Sequence, residues 1–215
     1  FKSINKNTYY SNSSLYRALL RKVYHYGRLT SNVVNYHTSG KNAGLPAVVN
    51  YPGGSFIRLA DFKRGTPQTI RRPSATGSGE QASNLEIDNN GWLTRYTDFS
   101  GRETRFQYNS VGWRTLIDPL DNHWANTVIN YKTTSDGMTR SLTKGSFRET
   151  EQLDNFLRVV QSRQQNTSGT SAKRYQVFKY DSNNRKVFAS YVTPTPTTNG
   201  STYNYDGLGR LISKS

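Results

Sequence analysis

The stretch Tyr205-Asp206-Gly207-Leu208-Gly209-Arg210-Leu211 decides the fold, because it combines a strand end, a turn and the start of another strand. An Asp that follows an aromatic residue can accept hydrogen bonds from the backbone just after it, and Gly adopts the positive φ angles of tight turns without steric penalty. The stretch therefore predicts a β-hairpin. Its seven positions form a template: an aromatic or apolar residue, Asp or Asn, two variable residues, a turn-former, Arg and a strand residue.

Four other segments fit this template in part. The segments 153–159 and 180–186 keep the Asp and the Arg, 108–114 keeps the Tyr and the Gly, and 87–93 keeps the Asp and the Gly. Position 1 thus falls at 87, 108, 153, 180 and 205, and Tyr131 lies in the one large gap. Each step is long enough for two short strands and two turns, so the sequence predicts one hairpin per repeat. The residues expected to shape this repeat are Tyr108, Gly112, Arg114, Asp154, Arg158, Tyr180, Asp181, Arg185, Tyr205, Asp206, Gly209 and Arg210.

The residues beside the template alternate in polarity, as strands with one packed and one wetter face do. Segments 104–108 and 203–205 show this period of two. Between the strands, "DFSGRE" (98–103) and "DPLDNH" (118–123) are predicted to be the other turn of the unit.

Composition excludes several kinds of site. The chain of 215 residues has no Cys, so it has no disulfide and no thiolate site, and it has no apolar run long enough to span a bilayer. Lys and Arg number 29 against 14 acids, a formal charge of +15, but they are scattered along the chain. We therefore expect no specific recognition of nucleic acid. Because the chain starts at Phe1 without a Met and stops inside a strand pattern, we expect it to be part of a longer polypeptide.

Residues 1–70 are predicted to be a degenerate, repeat-like β region. The segment 23–37 carries Gly-Arg-Leu-Thr between two strand patterns, and 50–70 fits strand, Gly-Gly turn, strand, turn, strand. Ser14–Tyr24 fits either an amphipathic helix or a strand, and we favour a strand. Residues 71–86, rich in Gly, Ser and Ala, are predicted to be a loop or linker.

The template resembles the YD-repeat of the Rhs family, which includes Rhs polymorphic toxins, the cocoon component of Tc toxins, wall-associated repeat proteins and teneurins. The resemblance is clear over residues 87–215, which we take as the repeat region. It implies an all-β fold in which consecutive antiparallel hairpins form a long curved sheet, part of a spiral shell. It also implies that the shell encapsulates a linked C-terminal toxin or other cargo.

Catalytic and metal sites find little support in the sequence. His25, His37 and His123 are too far apart to form a metal-binding motif, and "TSGKN" (38–42) is predicted to be a turn. In the Rhs family an Asp-Pro motif with a Gly-rich continuation marks a self-cleavage site. Asp118-Pro119 lacks that continuation, so Asp118 is predicted to be a turn residue. We expect no enzyme activity and no cofactor.

The predicted function is a structural shell segment of a larger secreted or cell-surface protein. Its partners would be the remainder of the same polypeptide, namely neighbouring repeats and an enclosed C-terminal domain. The alternative is an extracellular adhesion or glycan-binding surface, for which Trp92, Trp113 and Trp124 are the candidate ligand residues, since aromatic faces suit sugar rings. Anionic surfaces are further candidate partners of so basic a chain.

Overall fold

Antiparallel β-strands are the main regular structure of the computed structural model, which describes residues 5–9, 19–26, 28–169 and 173–215. A short 3-10 turn, Gly40–Asn42, interrupts them, so "TSGKN" is a turn as predicted. The strands are β1 (Asn5–Tyr9), β2 (Leu20–His25), β3 (Arg28–Tyr36), β4 (Pro46–Asn50), β5 (Phe56–Ala60), β6 (Thr69–Pro73), β7 (Glu80–Ile87), β8 (Leu93–Thr97), β9 (Glu103–Tyr108), β10 (Arg114–Pro119), β11 (Thr127–Thr134), β12 (Gly137–Lys144), β13 (Phe147–Leu153), β14 (Val159–Asn166), β15 (Arg174–Tyr180), β16 (Lys186–Ser190), β17 (Gly200–Tyr205) and β18 (Leu211–Lys214).

The chain divides into two compact units. Unit 1 comprises Phe1–Phe106 with Pro119–Asp121, and unit 2 comprises Gln107–Asp118 with Asn122–Ser215. In unit 1 each strand from β1 to β9 pairs antiparallel with the next. In unit 2 the strands from β10 to β18 do the same. The predicted all-β fold of consecutive antiparallel hairpins is confirmed. The units divide within β9 rather than at residue 71 or 87.

Few side chains are fully buried. The buried apolar residues in the described part are Tyr36, Phe62, Ile87, Met138, Leu153 and Ala189. Most other strand residues are half-buried, and β9 and β17 alternate between half-buried and exposed positions, as their sequences predict. Because so little apolar surface is buried, backbone pairing and polar contacts between hairpins supply a large part of the stability of the fold.

Residues 71–86 are not a linker. They form the end of β6 and most of β7, which pair from Thr69↔Asn84 to Pro73↔Glu80 and leave only 74–79 as a turn. The Gly and Ser residues that suggested a loop are concentrated at this tip. Farther along, β7 alternates exposed and covered positions, and the hydroxyl of buried Ser83 donates to the carbonyl of Thr97 at 2.7 Å. A polar strand is stable here because its inward hydroxyl has a partner.

The N-terminal predictions hold where the structure describes the chain. Residues 20–25 form strand β2, so the helix alternative is wrong for this part, and residues 14–18 lie outside the described ranges. The segment 23–37 contains the β2–β3 hairpin, and 50–70 forms strand, turn, strand, turn, strand. No helix in the described ranges is long and apolar enough to cross a bilayer.

Candidate functional site: the repeat turns

The template folds into one recurrent structure, which we call the repeat turn and number from position 1 to position 7. The N–H of position 2 donates to the carbonyl of position 6 at 2.9 to 3.0 Å, and the N–H of position 5 donates to the carbonyl of position 2 at 2.9 to 3.3 Å. The Oδ1 atom of the position-2 side chain accepts from the N–H groups of positions 4 and 6 at 2.8 to 3.2 Å. One Asp or Asn thus satisfies two backbone donors that the turn leaves free.

Position 1 lies at a β-bulge. It pairs with position 7 just after a register shift, at Ile87↔Leu93, Leu153↔Val159, Tyr180↔Lys186 and Tyr205↔Leu211. A bulge re-aims the side chain of the displaced residue. Ile87 and Leu153 are only 6% exposed, which accounts for the aromatic or apolar residue at this position.

Position 5 has a positive φ angle whether or not it is Gly. The angle is +89° at Gly91, +87° at Gly112 and +81° at Gly209, and it is +59° at Leu157 and +67° at Asn184. Local hydrogen bonds therefore hold the same turn even where the sequence lacks the Gly that favours it.

At position 6, Arg forms an ion pair with the Asp of its own turn. The Nε–Oδ2 distance is 2.7 Å in the pairs Arg158–Asp154, Arg185–Asp181 and Arg210–Asp206. The Asp thereby binds both the backbone and the side chain of the same Arg, which fixes the direction of the guanidinium.

The guanidinium groups also connect successive repeat turns. Nη1 of Arg158 donates to Oδ1 of Asn184 at 2.8 Å and to the carbonyl of Asp181 at 3.4 Å, and Nη1 of Arg185 donates to the carbonyl of Asp206 at 3.2 Å. Arg158 and Arg185 therefore each contact the turn that comes next along the chain. We call this series the Arg ladder.

The position-1 Tyr of the next turn completes each step of the ladder. The guanidinium carbon of Arg158 lies 4.8 Å from the centre of the Tyr180 ring, and that of Arg185 lies 5.0 Å from the Tyr205 ring. The hydroxyls of these Tyr residues donate back to position 7 of the preceding turn, to the carbonyls of Val159 at 3.0 Å and Lys186 at 2.8 Å. Tyr and Arg are thus paired across repeats as well as within the motif.

Trp occupies position 6 in two repeat turns. Trp113 contacts the ring of Tyr131 at 4.9 Å, and the Tyr131 hydroxyl donates to the carbonyl of Arg114 at 3.2 Å. Tyr131 thus makes the ladder contact from the middle of β11, although no repeat turn follows it. Arg114 lies at position 7, and its Nη2 donates to the hydroxyl of Tyr108 at 3.4 Å.

Two turn predictions need correction. The segment Asp98–Arg102 was predicted to be the other turn of the unit. It has the full hydrogen-bond set of a repeat turn, without the register shift, and is therefore a further repeat turn. Its signal was present in the spacing of Asp98, Gly101 and Arg102. Asp118 is not a turn residue: it lies in β10 at 7% exposure, and the turn follows at residues 120–126. Strand β10 runs through the Asp-Pro dipeptide and ends at Pro119, as is usual for a Pro that cannot donate to a ladder.

The position-2 carboxyls are held in their ionised form. Their pKa values are lowered at Asp88, Asp98, Asp154, Asp181 and Asp206. The main cause is the backbone N–H of position 6 at Asp98, Asp181 and Asp206, and the Arg158 side chain at Asp154. At Asp88 burial acts in the opposite direction, and the hydrogen bonds from the backbone outweigh it. Hydrogen bonds to a carboxylate favour its charged form.

The remaining candidate residues lie apart from the ladder. Trp92 is half-buried at position 6 of its turn, while Trp124 is 61% exposed with the Lys144 ammonium 5.4 Å from its ring centre. His37 bonds the carbonyl of Leu59 at 2.9 Å. In the described ranges no three His, Asp or Glu side chains are grouped so that they could hold a metal ion.

Comparison with known proteins agrees with this geometry. Residues 88–123 match the family model described as RHS Repeat, a segment that contains three of the repeat turns. No curated protein matches the sequence.

Solved structures share the fold of the chain. The crystal structure of TcdB2-TccC3-Cdc42 aligns with a TM-score of 0.69 at 16% identity, and that of TcdB2-TccC3 without its hypervariable C-terminal region aligns with a TM-score of 0.67 at 16% identity. Each alignment covers 98% of this chain and 12% of the other. The chain therefore carries an RHS repeat at residues 88–123 and shares its fold with part of the TcdB2-TccC3 structures.

Proposed function

We propose that the chain is a non-catalytic wall segment of a shell that encloses another part of the same polypeptide, a toxin or other cargo. The TcdB2-TccC3 structures, which the chain matches along 98% of its length, support this reading. One of them was solved without a hypervariable C-terminal region, so that polypeptide has a distinct segment at its end. A cargo at the C-terminus of the present polypeptide would hold the same place.

The Arg ladder is the observation that carries the proposal. The guanidinium groups of Arg158 and Arg185 each bond their own turn and the next one, so contacts between neighbours hold the last three repeat turns together in a row. Such a row can be extended by adding units, because each unit needs only its neighbours for stability. A wall needs this property, whereas a catalytic site needs a few convergent groups in a cleft.

The proposed location is outside the producing cell, in a secreted or surface-attached parent protein. A shell that keeps its cargo enclosed until delivery serves a protein that acts on another cell. The enclosed cargo would be released only when the wall opens.

Limited proteolysis of the complete polypeptide that contains this chain tests the proposal. The intact protein should protect the enclosed segment, and the double variant R158Q/R185Q, which removes two steps of the ladder, should expose it to cleavage. R210Q is the matched control, because the Arg210 side chain is 76% exposed and bonds only its own turn among the contacts described. If the remaining polypeptide is cleaved as fast in the intact protein as when it is expressed alone, the wall encloses nothing.

A glycan-binding surface is the second candidate function, and the exposure of Trp124 favours it. A Trp ring that is 61% exposed can stack on a sugar. Trp113 is less available, because Tyr131 covers part of its ring. Glycan-array binding that W124A abolishes and W92A or W113A weakens would replace encapsulation by adhesion as the function. Unchanged binding in all three variants would exclude this surface.

A further inference from the structure

The two faces of strands β11 to β14 differ in how their charges are satisfied. On one face Nε of Arg140 donates to Oε2 of Glu151 at 2.7 Å, and Oε1 of Glu149 accepts from Nε2 of Gln164 at 2.9 Å and from the Ser162 hydroxyl at 3.3 Å. The acids of this region therefore have partners on their own face. On this face, therefore, the charges of the acids are already satisfied by neighbouring side chains.

The opposite face carries cations without acids. A groove of about 400 Å³ is lined there by Asn130, Lys132, Thr139, Ser141, Thr143, Arg148, Thr150 and Arg163, and we call it the basic groove. The register places these residues on one face, through the pairs Lys132↔Thr139, Thr143↔Arg148 and Thr150↔Arg163. In the described part of the chain none of its three cations forms an ion pair. Four hydroxyls between them add further donors.

Two buried polar atoms on this face have no hydrogen-bond partner among the described residues. They are Nε of Arg163, a donor that lines the groove, and Oε1 of Gln165, an acceptor directly across from Arg148. A buried polar atom without a partner is costly, so such atoms are candidates for contacts with a ligand. Here the donor, on Arg163, and the acceptor, on Gln165, belong to residues two positions apart on the same face of β14.

We propose that the basic groove binds an extended acidic segment of polypeptide. Its Asp and Glu carboxylates would pair with Lys132, Arg148 and Arg163, and its backbone would supply both a carbonyl for Arg163 Nε and an N–H for Gln165 Oε1. The source of the segment rests on the proposed function, since the enclosed cargo is the polypeptide held at the highest local concentration. The binding itself does not depend on that function.

The groove fits a peptide better than other polyanions. Proteins that hold single-stranded nucleic acid stack its bases on aromatic rings, and no aromatic residue lines this groove. A phosphate backbone also offers acceptors only, which would leave Gln165 Oε1 without a donor. Recruitment to an anionic membrane generally takes a larger group of basic residues at an exposed surface, whereas Arg163 Nε is buried.

Fluorescence anisotropy with a labelled peptide of alternating Glu and Ser tests the proposal on the 215-residue chain. K132Q and R148Q should each weaken binding by about fivefold, the contribution of one exposed ion pair. R174Q is the matched control, because it removes the same charge from the opposite face, where Arg174 pairs with Gln164. We expect R174Q to change the affinity by less than twofold. Lys132, Arg148 and Arg174 are all exposed, so circular dichroism should show an unchanged fold.

Two results would overturn the proposal. Equal weakening by R148Q and R174Q would mean that net charge alone attracts the peptide. Single-stranded DNA that binds as tightly as the peptide and loses the same affinity in R148Q would mean that the groove takes any polyanion. If the groove binds the peptide but proteolysis shows no protected segment, the groove is a peptide-binding site whose ligand is not an enclosed cargo.

Discussion

Position 6 of the repeat turn shows how one side chain serves two turns. The Asp of its own turn fixes the guanidinium of Arg158, and the same guanidinium contacts Asn184 and the Tyr180 ring. Trp113 keeps only the ring contact, with Tyr131. Arg therefore provides hydrogen bonds together with a cation–π contact, whereas Trp provides packing alone.

Replacing Arg158 by Ala should lower the free energy of unfolding by about 1–3 kcal/mol, because hydrogen bonds between charged groups and partly buried acceptors are lost. The same change at Arg210 should cost less than about 1 kcal/mol, since that side chain is 76% exposed against 22% for Arg158. Urea denaturation of both variants measures the difference. Equal losses would contradict the role of the ladder contacts.

The lowered pKa values of the position-2 Asp residues predict loss of stability in acid. These carboxyls titrate at about 3.9 in an unfolded chain and below that in the fold, so folding favours their ionised form. The stabilisation is complete above about pH 5 and is lost as the pH falls through the lowered pKa values. Urea midpoints measured between pH 7 and pH 2.5 should follow this course.

D181N provides the comparison for the acid effect. The Asn keeps an oxygen that can accept the two backbone N–H groups but has no charge to pair with Arg185, so it should be less stable at pH 7 and show a shallower decline in acid. A decline of the same size in the variant and the wild type would assign the acid effect to other groups.

At the scale of the hairpin, hydrogen bonding determines the turn and Gly only facilitates it. Leu157 adopts a φ of +59° at position 5, a conformation that costs a non-Gly residue roughly 1–2 kcal/mol. The repeat turn accepts this strain because Asp154 binds the backbone on both sides of Leu157. The hairpin register is thus fixed at position 2.

Replacing Leu157 by Gly should stabilise the fold by about 0.5–1 kcal/mol, since relief of strain exceeds the added freedom of the unfolded chain. Leu157 is 56% exposed, so little packing is lost. At the equivalent Asn184, the change to Gly should destabilise, because the side chain that accepts from Arg158 disappears. Thermal unfolding of both variants tests this reversal of sign, and destabilisation by L157G would refute it.

Across the whole molecule, the charge of +15 attracts polyanions in general. We expect duplex DNA to bind without sequence preference, with log K falling linearly as log salt rises, because counterion release drives such binding. Titrations of two unrelated duplexes at several salt concentrations measure both properties. An affinity ratio above about tenfold between the duplexes would contradict the absence of specific recognition.

The sequence by itself determined the positions of the turns. Asp88, Asn109, Asp154, Asp181 and Asp206 each bind backbone groups within four residues, so the signal is local and survives without the Gly. Local chemistry of this kind can be recognised before any strand is paired. It also identified the repeat that the family model matches at residues 88–123.

Only the tertiary structure decided which turns and faces meet. The contact from Arg158 to Asn184 spans 26 residues and requires β14, β15 and the following turn to be in place. The separation of Arg148 from Glu149 onto opposite faces follows from strand alternation, but placing Arg163 beside Arg148 requires the β13–β14 register. Pairing with β6 likewise makes a strand of residues 80–86, where composition suggested a loop. Asp118, predicted to be a turn residue, lies within β10. Register depends on all the partners of a strand together, and no single segment encodes it.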